Sequence, residues 1–142
     1  MLCTKFVASH LVYLYCEGDF MVSVVIGGYR NFEKYEIFKS FVDSCLVELD
    51  LKEITILSGH CKGVDLMGEQ YAKEKGLLLE VYPAEWKKYG KAAGPIRNKQ
   101  MVEKADIVIA FVCERAKGTK NLIAQAKKLD KKVFVKEIGE FI

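Results

Sequence analysis

From Met21 onward the chain alternates short β-branched runs with stretches whose apolar residues recur every three or four positions. That alternation builds a parallel sheet covered by helices on both faces. Val22 to Ile26 reads as the first strand, ended by Gly27-Gly28. Phe38, Phe41, Val42, Cys45, Leu46 and Leu49 then mark one face of a helix. Glu53 to Leu57 forms a second strand stopped by Ser58-Gly59, and Val64 to Lys75 a second helix, with Gly76 placed for a left-handed cap. Leu77 to Tyr82 is the third strand. After Pro83 comes a long irregular stretch with Trp86, Tyr89, Gly90 and Gly94, and then Pro95 in the first turn of a helix leading to Met101 and Val102. Ile107 to Val112 is the fourth strand, about Thr119 to Leu129 a helix, and Lys132 to Val135 the fifth strand.

The expected fold is therefore α/β, a doubly wound parallel sheet of about five strands. In the commonest arrangement the strand order reverses between the first and fourth strands, and ligands bind in the crevice at that reversal. The loops after strands one, two and four would meet there.

At 142 residues and 51% hydrophobic, the chain can bury one sizeable core and has no room for a second domain. Residues 21 to 142 are expected to be that domain. Met1 to Phe20 reads as an extension: its apolar stretch, Phe6 to Tyr15, lacks both the basic start and the small-residue cleavage site of a signal peptide. No apolar run reaches the roughly 18 to 20 residues that span a bilayer, so no membrane partner is expected. The odd cysteine set, Cys3, Cys16, Cys45, Cys61 and Cys113, has no Cys-x-x-Cys pair. It argues for a reducing, cytoplasmic setting and against a disulfide framework or a zinc knuckle. With His60, Cys61 and Cys113 show no ligand spacing, so no metal is expected. A formal net charge of +3 is too weak by itself to imply wrapping of a nucleic-acid backbone.

Three loops and one basic segment carry the chemistry. Gly27-Gly28-Tyr29-Arg30-Asn31 lets backbone N–H groups approach a ligand and offers the Arg30 fork to phosphate; a plain strand-ending turn is the competing account. Ser58-Gly59-His60-Cys61-Lys62-Gly63-Val64-Asp65 opens a helix and could cradle an anion with Lys62 adding charge. It lacks the Gly-Lys-Ser/Thr ending of a Walker loop and the spacing of a dinucleotide fingerprint. Asp65 could orient a ribose hydroxyl or help cap the helix. Glu114, Arg115, Lys117, Gly118 and Thr119 precede the last helix, where Gly118-Thr119 could hold phosphate oxygens or Thr119 could simply cap. Between these loops, Lys87, Lys88, Lys91, Arg97 and Lys99 interleave with Trp86 and Tyr89, suiting a nucleotide, a single strand or a solvated basic face. Arg97-Asn98, read as a helix start, would point into the crevice.

Gly28-Tyr29-Arg30, Ser58-Gly59 with Gly63-Val64-Asp65, Tyr89-Gly90-Lys91-Ala92-Ala93-Gly94-Pro95-Ile96-Arg97-Asn98, and Gly118-Thr119 together resemble the YspA, or YpsA-related, branch of the SLOG superfamily. The resemblance implies a Rossmann-like domain binding nucleotides or nucleotide-derived ligands, with cytokinin-activating phosphoribohydrolases and the DNA-processing protein DprA as distant relatives. The positions it carries over are Gly27, Gly28, Ser58, Gly59, Gly63, Asp65, Arg97, Asn98, Gly118 and Thr119, to which Arg30 and Lys62 add charge. The phosphoribohydrolases follow Gly-Thr with acidic residues, whereas Lys120, Asn121 and Leu122 stand here. Asp65 and Glu114 are the remaining carboxylates for an N-glycosidase, so a non-catalytic binder leads. It needs no cofactor beyond the bound nucleotide or its derivative. Binding of single-stranded DNA through Arg30, Lys62, Lys87 to Lys99 and Lys117 is the further alternative, and folds of this kind often form homo-oligomers.

Overall fold

The computed structural model describes residues 21–139. The extension expected over the first twenty residues lies outside them. Five parallel strands, β1 (Val22–Gly28), β2 (Ile54–Ser58), β3 (Leu78–Val81), β4 (Ile107–Val112) and β5 (Lys132–Glu137), form one sheet in the order β3-β2-β1-β4-β5. The order reverses between β1 and β4, as expected, and the fold is a Rossmann-like α/β sheet. The helices are α1 (Tyr35–Leu46), α2 (Val64–Lys75), α3 (Trp86–Tyr89), α4 (Ala93–Lys104) and α5 (Lys117–Lys128). Among the described residues no helix is long and apolar enough to cross a membrane.

The two-residue period of the strands sorts the core into two layers. Val24 and Ile26 of β1, Ile54 and Ile56 of β2, and Ile107, Ile109 and Phe111 of β4 pack with Phe38 and Val42 of α1 and Val64 and Tyr71 of α2. Val25, Leu57 and Val108, their neighbours in sequence, face the opposite way and meet Met101 and Val102 of α4 and Leu122 and Ala126 of α5. Each fully buried aliphatic or aromatic side chain contributes roughly 1.5–3 kcal/mol of transfer free energy. Phe38 sits at the centre of the first layer, with ring centroids 5.2 Å from Phe111 and 6.2 Å from Tyr71.

Local departures from the expected elements have identifiable causes. Helix α1 stops at Leu46, with Leu49 reached through a turn from Leu49 N–H to the Leu46 carbonyl at 3.0 Å, although Leu49 still packs against the core. The stretch expected to be irregular holds α3 and a 3-10 turn over Gly90–Ala92, too short to show a period. Helix α4 begins two residues before Pro95, because first-turn N–H groups lack intrahelical acceptors and a proline there removes nothing. Arg97 and Asn98 therefore stand in its second turn rather than at its start. Helix α5 begins at Lys117 with Ala116 as its cap residue, so Gly118 and Thr119 lie inside its first turn and Thr119 is not the cap.

Candidate functional site

The loops after β1, β2 and β4, the start of α2 and helices α3, α4 and α5 enclose a crevice of about 510 Å³. Gly27, Gly28, Tyr29 and Arg30 form its β1 wall. Gly28 must be glycine, because a Cβ there would lie 2.6 Å from the Phe111 carbonyl oxygen on the neighbouring strand. Tyr29 N–H donates to that same carbonyl at 3.0 Å. Arg30 is exposed at the rim.

The β2 loop is bound up in itself. Asp65, 7% exposed, accepts from the Gly28 N–H through Oδ1 and from the Cys61 N–H through Oδ2, both at 3.3 Å, and so ties the β1 loop to the β2 loop. Helix α2 is not capped by it: the cap residue is Gly63, with φ +83° and no side-chain cap. A side chain at Gly63 would also run into the carbonyls of Tyr29 and Arg30. Burial pushes the Asp65 carboxyl up to about 6, against the opposing pull of the Arg97 guanidinium and the two backbone N–H groups.

Arg97 reaches this cluster from α4. It is 8% exposed and donates through Nη1 to the Gly59 carbonyl at 2.5 Å and the Tyr82 carbonyl at 3.4 Å, and through Nε to Asn98 Oδ1 at 3.0 Å. Its Nη2 lies 3.9 Å from Cys61 Sγ. Asn98 in turn donates from Nδ2 to the Gly118 carbonyl at 3.2 Å and to Asn121 Oδ1 at 3.0 Å, joining α4 to α5.

The β4 wall is different in kind. Arg115, Ala116, Lys117, Gly118 and Thr119 line the crevice, and no side chain caps α5. The Lys117 N–H donates back to the Arg115 carbonyl at 2.9 Å, but the first-turn N–H groups of Gly118 and Thr119 have no intrahelical acceptor, so this helix start keeps two donors and its partial positive charge. Thr119 is 7% exposed, yet its hydroxyl has no hydrogen-bond partner among the described residues. Buried hydroxyls are ordinarily satisfied, which makes this one conspicuous. Four cations, Arg30, Arg97, Arg115 and Lys117, and one carboxylate, Asp65, line the crevice.

Gly27, Gly28, Arg30, Asp65, Arg97, Asn98, Gly118 and Thr119 thus meet at one crevice, as the sequence suggested. Ser58, Gly59, Lys62 and Gly63 do not line it. The Ser58 hydroxyl is buried behind the loop, donating to Glu69 Oε2 at 2.7 Å and accepting from the His60 N–H at 3.0 Å. Gly59 lies beneath the Arg97 guanidinium, and Lys62 is exposed outside the wall. Glu114 is exposed and also stands outside the wall, its carbonyl accepting from Lys120 Nζ at 2.7 Å.

The sequence reading did not place Met101 or Leu122 at the site, although both line the crevice. Spacing held the signal: Gly94, Arg97, Asn98 and Met101 recur at i, i+3, i+4 and i+7, and Gly118, Thr119 and Leu122 at i, i+1 and i+4.

Residues 22–89 match the model of the YspA, cpYpsA-related SLOG family. The match ends before Gly90 to Asn98 and before Gly118-Thr119, so it rests on the β1 and β2 loops and the first part of the fold. The Gene 61 protein of Mycobacterium phage D29 is 31% identical over 81 residues, covering 53% of this chain and 65% of the phage protein. DNA processing protein A (DprA) from Streptococcus pneumoniae shares the fold with a TM-score of 0.63 at 19% identity, over 84% of this chain and 51% of that one. The chain spans less than two thirds of the length of either relative.

Proposed function

We propose, from the match of residues 22–89 to the YspA, cpYpsA-related SLOG family model, that the crevice binds a nucleotide or nucleotide-derived ligand by its phosphate. The phosphate sits at the start of α5, on the N–H groups of Gly118 and Thr119 and on the Thr119 hydroxyl. The observation that carries this reading is that hydroxyl, buried at an uncapped helix start and without a protein partner among the described residues. An anion there completes an orphaned donor, meets the helix dipole and is drawn in by Arg30, Arg115 and Lys117.

Binding is favoured over cleavage of an N-glycosidic bond by where the carboxylates stand. Both Asp65 oxygens already accept backbone N–H groups, and Glu114 is outside the crevice wall. Single-stranded DNA is the second reading, favoured by the exposed Lys87, Lys88 and Lys91 beside the crevice. That reading requires affinity that falls steeply with salt.

Calorimetry with AMP and ADP-ribose tests the proposal. Saturable binding below about 1 mM is expected, weakened about tenfold by Thr119→Val and retained by Thr119→Ser, with little change in melting temperature for either variant. Absence of binding by any such ligand at millimolar concentration contradicts it.

A further inference from the structure

Trp86 is the single tryptophan of the chain and the most exposed aromatic ring described, 56% accessible, yet it lines the crevice. A large aromatic surface left open inside a concave site is the usual mark of a surface that a ligand covers. We infer that Trp86 is the platform on which the base of a mononucleotide stacks, so that the crevice selects a nucleotide over a bare sugar phosphate. This rests on the proposed phosphate site at α5.

The crevice wall is divided in the way such a ligand needs. Trp86 of α3, with Gly94 and Pro95 at the start of α4, presents apolar surface, and the Trp86 ring edge lies 3.4 Å from where a Cβ on Gly94 would stand. At the start of α5, Gly118 and Thr119 present donors. The Asn98 bond to the Gly118 carbonyl, 3.2 Å, fixes one end against the other. Tyr89, the other aromatic of the same turn, does not line the crevice, and the Lys88 ammonium lies 5.0 Å from its ring centroid. Stacking on an aromatic face tolerates any base, whereas a sugar phosphate offers no flat π surface to match it. The platform therefore separates the two ligand classes without hydrogen-bond readout of the base.

The test compares AMP with ribose 5-phosphate on the whole chain by calorimetry, with quenching of the lone tryptophan as a second readout. AMP is expected to quench and to bind about tenfold more tightly than ribose 5-phosphate. Trp86→Ala should lower AMP to the affinity of ribose 5-phosphate and leave the latter unchanged, while Trp86→Phe should keep most of the preference. Melting curves confirm folding of both variants, since the ring is largely exposed. Equal affinities in the unaltered chain, or a preference that survives Trp86→Ala, would overturn the inference and leave the phosphate site standing. Binding of neither probe would overturn the phosphate site as well.

Discussion

On the β2–α2 side of the crevice the buried polar side chains are engaged by the protein: Asp65 holds the Gly28 and Cys61 N–H groups, Arg97 holds the Gly59 and Tyr82 carbonyls, and Ser58 holds Glu69. Neither α2 nor α5 has a side-chain cap, but on the β4–α5 side the Thr119 hydroxyl is buried without a partner among the described residues, and nothing lies within 4 Å of where a Gly118 Cβ would be. Both are glycine-bearing loops that open a helix, and in sequence they look alike. The first spends its glycines on close packing. The second leaves space and donors for something else. A glycine beside a helix start is thus a ligand signal only where its surroundings stay open.

Arg97→Ala breaks the closed side most severely. It orphans two carbonyls and removes the cation beside the buried Asp65, and is expected to cost about 3–5 kcal/mol in urea unfolding. A loss under about 1 kcal/mol would mean that Arg97 belongs to the ligand rather than to the frame.

Asp65 gives the next largest effect, read in pH. Its folded value, about 6, lies above the ordinary 3.8, so between the two the native state keeps a proton that the unfolded chain has released. The group favours folding below about pH 4, and its contribution is lost as pH rises toward 6, a change of about 3 kcal/mol. Asp65→Asn cannot ionise and should remove that portion of the slope. Equal slopes for the two chains would place the Asp65 carboxyl in a far more polar setting than its burial implies.

Gly118→Ala is the mildest change. With open space at the added methyl and no positive φ, stability should move by less than about 1 kcal/mol. A large loss would show that the open side is packed after all.

Much of the frame was legible in the sequence, for local reasons. Helix α2 follows the expected Val64–Lys75 because Gly76, at φ +71°, accepts the left-handed cap that ends it. Strand β4 follows Ile107–Val112 because a continuous apolar run buried on both faces has one natural extent. The reversal of strand order then placed Gly27, Gly28, Arg30, Asp65, Arg97, Asn98, Gly118 and Thr119 around one crevice. What sequence could not divide was open loop from closed loop. Arg97 reaches Gly59 across 38 residues, and no property of Ser58 to Asp65 announces that guanidinium. The α3 turn was hidden because four residues carry no period.

The most direct measurement is an amide titration by ¹⁵N NMR with AMP. The expected result is saturable displacement of the Gly118 and Thr119 signals, with smaller shifts at Gly27 and Gly28 and little movement at Lys62 and Gly63. No displacement at Gly118 and Thr119, or displacement confined to the outer Lys87, Lys88 and Lys91 surface, would contradict a phosphate site at the start of α5.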